Sequence, residues 1–384
     1  MDASAIAPVL RLAEEVTDPR RHNRLHPLPL LIVMAVIAVL CGADGWEDVG
    51  EFVRERKDWF KTFLDLPRGV PSHDTFKRVF ARLKPEQMES CLRRWLAALG
   101  LPADEQIIFD GKSLRRSFEQ SWNKSDMAHI VSAFAATHRV VLAQQATAGK
   151  GGEIATIEAL LKTVELKGAT VTIDAIGCQK SIATSILEHQ GQYILAVKDN
   201  QPTLHSKLAA AMDEAILEDL VGWEGASQFE QSNGGHGRIE TRRVWCTTEV
   251  TALGPVREEW PGIQALVAVE RRRQIIGKEQ TVELHYFIAS DAGLEAQRAA
   301  RMIRGHWAIE NSLHYVLDVS FDEDQSRVRK GHGAENLSRL RRVTANLLQL
   351  SPRKASIRCK RKLCCWSEPF LIETLLRGLH PADA

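Results

Sequence analysis

Apolar residues recur along this chain with different periods, and the changes of period divide it. Up to about residue 100 the spacing is helical. Residues 26–41 make a nearly continuous apolar run, and 44–64 a second helical stretch. Ser72 stands where a helix cap belongs, followed by Phe76, Val79, Phe80 and Leu83 on one side. Pro85, cheap in a first turn, opens a fourth helix through Met88, Cys91, Leu92, Trp95 and Leu96. The pair around Lys84 and Pro85 suits plain packing or a helix-turn-helix DNA reader. Past 102–105 the pattern turns to short apolar runs. A strand at 106–109 ends at Asp110, a strand pair occupies 129–136 and 139–147, and a helix spans 154–164. A strand at 169–173 ends at Asp174, followed by a helix at 179–189 and a strand at 192–197. Residues 201–290 read as one helix and then strands at 240–250, 263–273 and 281–290, approached by a flexible Asn233-Gly-Gly-His-Gly237. Helices at 295–318 and 334–350 complete the pattern. The predicted class is α/β, with a helical segment 1–100 and a mixed core at 101–200 and 291–350. A β-rich insertion at 201–290 interrupts that core, and a basic tail follows at 351–384.

Composition narrows the class. The 384 residues imply two or three domains, and 44% hydrophobic with 26% charged residues is a globular balance. The run at 28–41 is broken by Pro29 and falls short of the roughly 20 apolar residues a bilayer requires. It also lies too deep for a signal peptide. A buried helix, a cytoplasmic protein and no membrane partner are expected. Seven cysteines, an odd number without a Cys-x-x-Cys, support neither a disulfide framework nor structural zinc. Net charge is only +1, but residues 298–362 carry fifteen Lys and Arg against six Asp and Glu. Such a segment suits a polyanion surface or a salt-bridged helical one.

Three acids stand out by position. Asp110 and Asp174 each follow an apolar strand, where open α/β sheets place their sites. Glu310 lies within a helix that can cross those strand ends. Carboxylates in such a set are hard oxygen ligands for Mg²⁺, which keeps waters and accepts substrate phosphate in its remaining positions. A pair of such ions clamps the attacking and leaving oxygens of a phosphodiester. His306, Glu310 and His314 share one helix face at four-residue spacing. They are read as phosphate contacts or as groups that orient Glu310, because the zinc-peptidase arrangement is absent. Lys112 and Arg115 beside Asp110, Lys198 after a strand, and Arg327 and Arg329 in a charged stretch are candidate phosphate contacts.

At these residues the chain resembles ISAs1-family transposases of bacterial insertion sequences, relatives of the H-repeat-associated proteins in the IS4-like DDE group. The matching strings are Phe109-Asp-Gly-Lys-Ser-Leu-Arg115, Thr172-Ile-Asp-Ala-Ile-Gly-Cys-Gln179 and Tyr193-Ile-Leu-Ala-Val-Lys-Asp-Asn-Gln201. Gly305-His-Trp-Ala-Ile-Glu-Asn-Ser-Leu-His314 and the stretch 318–329 complete them. The resemblance runs from about residue 10 to 350. It implies a helical associated domain, a ribonuclease-H-like core with a β insertion, and Asp110, Asp174 and Glu310 as catalytic metal ligands. It further implies Mg²⁺ with Mn²⁺ as substitute, double-stranded DNA (terminal inverted repeats and target) as partner, and a homodimer or higher oligomer. Aligned on Glu310, Ile303, His306 and Leu317 replace the Tyr, Arg and Lys of the wider group's signature, so those DNA contacts do not transfer. The tail beyond Pro352 departs from the family's usual ending. That leaves room for a catalytically inactive, DNA-binding regulator, and a nuclease without strand transfer is the third alternative.

Overall fold

The computed structural model describes residues 3–377 except 23, 99–100, 102, 119–126, 150, 236 and 276. Helices build the first hundred: α1 (Ala3–Glu14), α2 (Leu28–Leu40), α3 (Trp46–Glu55), α4 (Lys57–Phe60), α5 (His73–Arg82) and α6 (Pro85–Ala98). The run that was too short for a bilayer is α2, buried nearly all round because it carries no polar side chain. The stretch 44–64 is not one helix; it breaks at Arg56 between α3 and α4. No helix was predicted at α1, where Pro8 obscures the period. No described helix is long and apolar enough to cross a membrane.

Among the described residues nine strands form one sheet. They are β1 (Gln106–Ser113), β2 (His129–Ala135), β3 (Val140–Ala146), β4 (Thr170–Ile173), β5 (Gln192–Val197), β6 (Ser227–Gly235), β7 (Arg238–Thr247), β8 (Ala265–Ile275) and β9 (Thr281–Ala289). Their order is β3-β2-β1-β4-β5-β9-β8-β7-β6. β1, β4 and β5 run parallel, whereas β1-β2-β3 is an antiparallel meander. The β-rich insertion does not stand apart: β9 pairs antiparallel with β5, so β6 to β9 continue the core sheet. β6 was not foreseen, because its Ser-Gln-Phe-Glu-Gln-Ser-Asn sequence lacks an apolar alternation. Asn233–Gly235, predicted to be flexible, is paired with β7. The first strand also runs past its predicted end at Asp110, since residues 110–113 keep pairing with β2 after β4 has stopped.

Alternation along β1 sends Ile107 and Phe109 to one face, and Ile108 and Asp110 to the other. On the first face lie α7 (Glu153–Leu161), α8 (Lys180–Glu188) and α9 (Pro202–Leu217), with a core that includes Ile157, Ile182 and Leu204. On the second, α10 (Ala296–Gly305) covers β5, β7, β8 and β9 through Ala299 and Met302. Beside it, Ile108, Phe134 and Val141 share a core with the N-terminal helices and with α12 (Gly333–Leu350). The long helix expected at 295–318 is interrupted. After α10 come a turn at His306 and Trp307, a π turn (Glu310–His314) and α11 (Tyr315–Ser320).

The basic stretch after Pro352 is not a loose tail. It forms α13 (Ile357–Trp366) and α14 (Glu368–Leu375), whose Cys364, Leu371 and Leu375 enter the same core as α2. Arg361 is buried. It donates to the carbonyls of Val39 (2.9 Å), Ala43 (2.8 Å) and Ser320, pairs with Asp44 at 2.8 Å and lies over the Phe321 ring.

Candidate active site

The last register pair of β1 with β4 is Phe109 opposite Ile173. Asp110 and Asp174 are therefore the next residues on two neighbouring parallel strands, which lie about 4.8 Å apart in any sheet. Asp110 Oδ1 accepts its neighbour Gly111 N–H at 2.9 Å. Asp174 caps the turn Ala175–Gly177, its Oδ1 accepting Ile176 N–H at 3.1 Å. Neither hydrogen bond uses the second carboxylate oxygen.

Glu310 arrives from across the sheet end. Gln106 Nε2 donates to Thr172 Oγ1 (2.9 Å) and to the Met302 carbonyl (2.7 Å), which ties α10 to β1 and β4. A Cβ on Gly305 would strike Gln106 Oε1, so glycine permits this approach. The π turn follows, closed by Tyr315 N–H on the Glu310 carbonyl. Such turns are uncommon and cluster at functional positions. Here it sets the buried His314 Nδ1 2.9 Å from Glu310 Oε2 and 3.6 Å from Asp110 Oδ2. Burial holds the His314 pKa down, partly opposed by the bond to Glu310. Its Nε2 has no hydrogen-bond partner among the described residues. The neutral ring with the proton on Nδ1, donating to Glu310, satisfies this geometry.

Ligand atoms of Asp110, Glu310 and His314 all lie within 4.8 Å of one another. Asp174 is outside that group, but its charge reaches Asp110. Desolvation, then Asp174, Glu153 and Glu310, push the Asp110 carboxyl up to about 7 against the Gly111 hydrogen bond. Asp174 is raised too, by desolvation and by Glu153, with Ile176 N–H and Lys198 opposing. Carboxylates that resist ionising together are what a divalent cation relieves, and carboxylate oxygens are donors that fit Mg²⁺ or Mn²⁺. Sequence reasoning missed Glu153. It begins α7 and approaches His129 at 3.5 Å, both packed against Gly111. As a first-turn helix acid it carried no signal of that contact.

The predicted phosphate contacts divide. Lys112 is buried and bonds Asp318 at 2.8 Å and Asp324 at 3.4 Å, so it serves as an internal cation. Arg329 donates to the Arg116 carbonyl at 3.0 Å and covers the Phe118 ring. His306 is half-buried, 3.3 Å from Thr172 Oγ1, and desolvation holds it neutral with a pKa of about 4. Arg115, 3.1 Å from Asp324, stays largely exposed, as do Lys198 and Arg327.

A family model described as "DDE_Tnp_1-associated" matches residues 11–96, and one described as "Transposase DDE domain" matches 102–347. The chain is 34% identical to an Escherichia coli protein named "Putative transposase YncI", over 97% of this chain and 95% of that one. It is 34% identical to the E. coli "H repeat-associated putative transposase YhhI", over 91% of this chain and 92% of that one. Among solved structures, a piggyBac transposase synaptic complex with hairpin DNA overlaps 98% of this chain and 80% of that one. The TM-score is 0.41 and the identity 12%, too loose a likeness to carry weight.

Proposed function

Since the chain belongs to the DDE transposase family, we propose that it is the transposase of a bacterial insertion sequence of ISAs1 type. On this reading it cuts and joins DNA at the element's terminal inverted repeats. Asp110, Asp174 and Glu310 serve as metal ligands on a ribonuclease-H-like core, and the sheet order β3-β2-β1-β4-β5 with its antiparallel meander supports that core. What supports the reading is Asp110 in β1 beside Asp174 just past β4, with Glu310 near Asp110 and the Asp110 carboxyl raised to about 7 by burial and its acidic neighbours. Asp110, Asp174 and Glu310 would hold a pair of Mg²⁺ ions (Mn²⁺ substituting), whose charge would supply polarisation of the phosphodiester and a lower pKa for the attacking water or 3′-hydroxyl. His314 orients Glu310 by donating from Nδ1. Arg115, Lys198 and Arg327 hold DNA phosphates around the site, whereas Lys112, His306 and Arg329 have structural partners. Two ends must be joined, so a homodimer or larger synaptic assembly is expected.

The second reading is a catalytically inactive, DNA-binding regulator, favoured by the departure of the sequence beyond Pro352 from the family's usual ending. The decisive assay incubates supercoiled DNA bearing the element ends with Mg²⁺ or Mn²⁺. Cleaved and joined products are expected from the parent protein. Asp110→Asn, Asp174→Asn and Glu310→Gln should give none while still binding the ends. Nicks without joining would support a hydrolytic nuclease, and binding without cleavage a regulator. Parent-level cleavage by the carboxylate variants would refute the site.

A further inference from the structure

Beyond the end of α10 the sheet carries an uncovered strip of arginines. β7 and β8 are the long strands, of 10 and 11 residues. Val244 and Val269 lie in the core beneath α10, but the strands continue past it. An open cavity of about 720 Å³ results, running from Asp174, Trp307 and Asn311 at the acidic site to Arg238 and Glu240 near the far hairpin. Arg242, Arg271 and Arg304 also line it, with Lys198 beside Asp174.

The charges are arranged unusually for a structural network. Arg242 stands directly opposite Arg271 in the register, a like-charge pairing that sheets disfavour. Among the described residues buried Glu240 alone bonds both guanidiniums. Desolvation, and after it the charges of Arg304, Arg271 and Arg238, lower the Arg242 pKa against the pull of Glu240. On the opposite face of the same strands each arginine has its own acid: Arg243 with Glu230, and Arg272 with Glu270 at 2.6 Å. Asn233 Nδ2, in the cavity wall, is buried without a hydrogen-bond partner among the described residues. Excess guanidinium charge in a concave strip, with a spare amide donor, matches a phosphodiester backbone, which guanidinium forks bind bidentately.

We propose that this arginine strip is the path along which DNA leaves the catalytic acids, with Arg238, Arg242, Arg271 and Arg304 contacting successive phosphates. The inference rests on the transposase reading but is tested without catalysis. Binding of fluorescent duplex and single-stranded DNA to the full chain is measured in chelator across a range of salt. Arg238→Gln with Arg304→Gln leaves the hydrogen bonds of Glu240 in place. It should flatten the slope of log affinity against log salt by about 2 on duplex, at about 0.9 per lost phosphate contact, or by about 1.4 if a single strand occupies the strip. Glu240→Gln removes the acid and should tighten binding several-fold, a gain that misfolding cannot mimic. Arg243→Gln with Arg272→Gln is the control on the other face and should change the slope little. Unchanged slope in the first variant, unchanged affinity in the second, or equal losses in strip and control variants would each overturn the proposal. Absence of DNA binding by the parent would overturn it together with the functional reading. Binding by a parent that never cleaves would sink only the latter.

Discussion

Asp110 is where electrostatics and proposed function meet. Its carboxyl is raised from 3.8 to about 7, first by desolvation and then by Asp174, Glu153 and Glu310. A carboxyl with a raised folded pKa supports folding fully only below its unfolded value, and that support is lost as pH rises through the folded one. Metal-free protein should therefore weaken between about pH 4 and pH 7, by on the order of 3 kcal/mol from this group. Thermal melts in chelator are expected to show the decline for the parent and much less of it for Asp110→Asn. Restoring divalent metal at pH 8 should raise the parent's melting temperature and leave the variant's where it was. In the proposed mechanism His314 acts through Glu310, which its Nδ1 reaches at 2.9 Å. His314→Ala should lower metal affinity or cleavage by about 10- to 100-fold, the usual penalty for losing a group that orients a ligand. His314→Gln, whose amide can still donate to Glu310, should recover part of it. Metal titrations of cleavage decide this, and equal loss in both variants would make the ring a packing element only.

At the scale of elements, the site depends on how closely α10 lies on β1 and β4. Gly305→Ala places a methyl against Gln106 Oε1 and disturbs the bonds to Thr172 and Met302. Overpacking of this kind costs about 1–3 kcal/mol. Cleavage should fall further than stability, because Glu310 rides on the same helical run. Denaturation curves beside single-turnover cleavage would show whether the two losses separate. The loop after α11 is held by Glu323, which is fully buried. Against the penalty of that burial, Arg342 and Arg341 hold its carboxyl below the usual range. Asp322, in a left-handed conformation, turns the chain so that Glu323 goes inward while Asp324 meets Lys112. α13 is anchored comparably. Arg361→Met would leave the buried Ala43 carbonyl without its donor and remove the partner of the half-exposed Asp44, while Val39 would still accept the Gly42 N–H. A loss of about 1–3 kcal/mol is expected for the unpaired buried acceptor, read as a drop in the urea midpoint.

For the whole molecule, one apolar core joins both ends of the chain. α2, α3, α5 and α6 bury Val36, Trp46, Phe80 and Trp95 together with Leu340 of α12, Leu371 of α14, and Ile108 and Phe134 of the sheet. Family models divide the sequence near residue 100, but packing crosses that line. Residues 102–377 expressed alone should expose this surface and lose cooperative unfolding. Gel filtration and near-ultraviolet circular dichroism would test it, and a monomeric, sharply melting fragment would contradict it. The polyanion surface inferred from residues 298–362 is also redistributed by folding. Arg339, Arg341, Arg342, Lys360 and Arg361 of that basic segment are buried and bonded internally. The arginine strip takes Arg304 from that segment, but Arg238, Arg242 and Arg271 come from β7 and β8, where net sequence charge marks nothing.

Local chemistry determined much by itself. Apolar period separated helices from strands, because side-chain spacing follows directly from backbone geometry, and the ends of the apolar runs marked Asp110 and Asp174, although β1 itself continues to Ser113. Glu310 with His314 was legible as a helix face for the same reason. Folding alone decided which distant groups share a charge environment. Glu153 came to Gly111, Lys112 was taken up by Asp318 and Asp324, β9 closed onto β5, and the basic C-terminal segment turned inward to cap carbonyls of α2. Burial and long-range pairing depend on what the rest of the chain presents, and no window of neighbouring residues contains that.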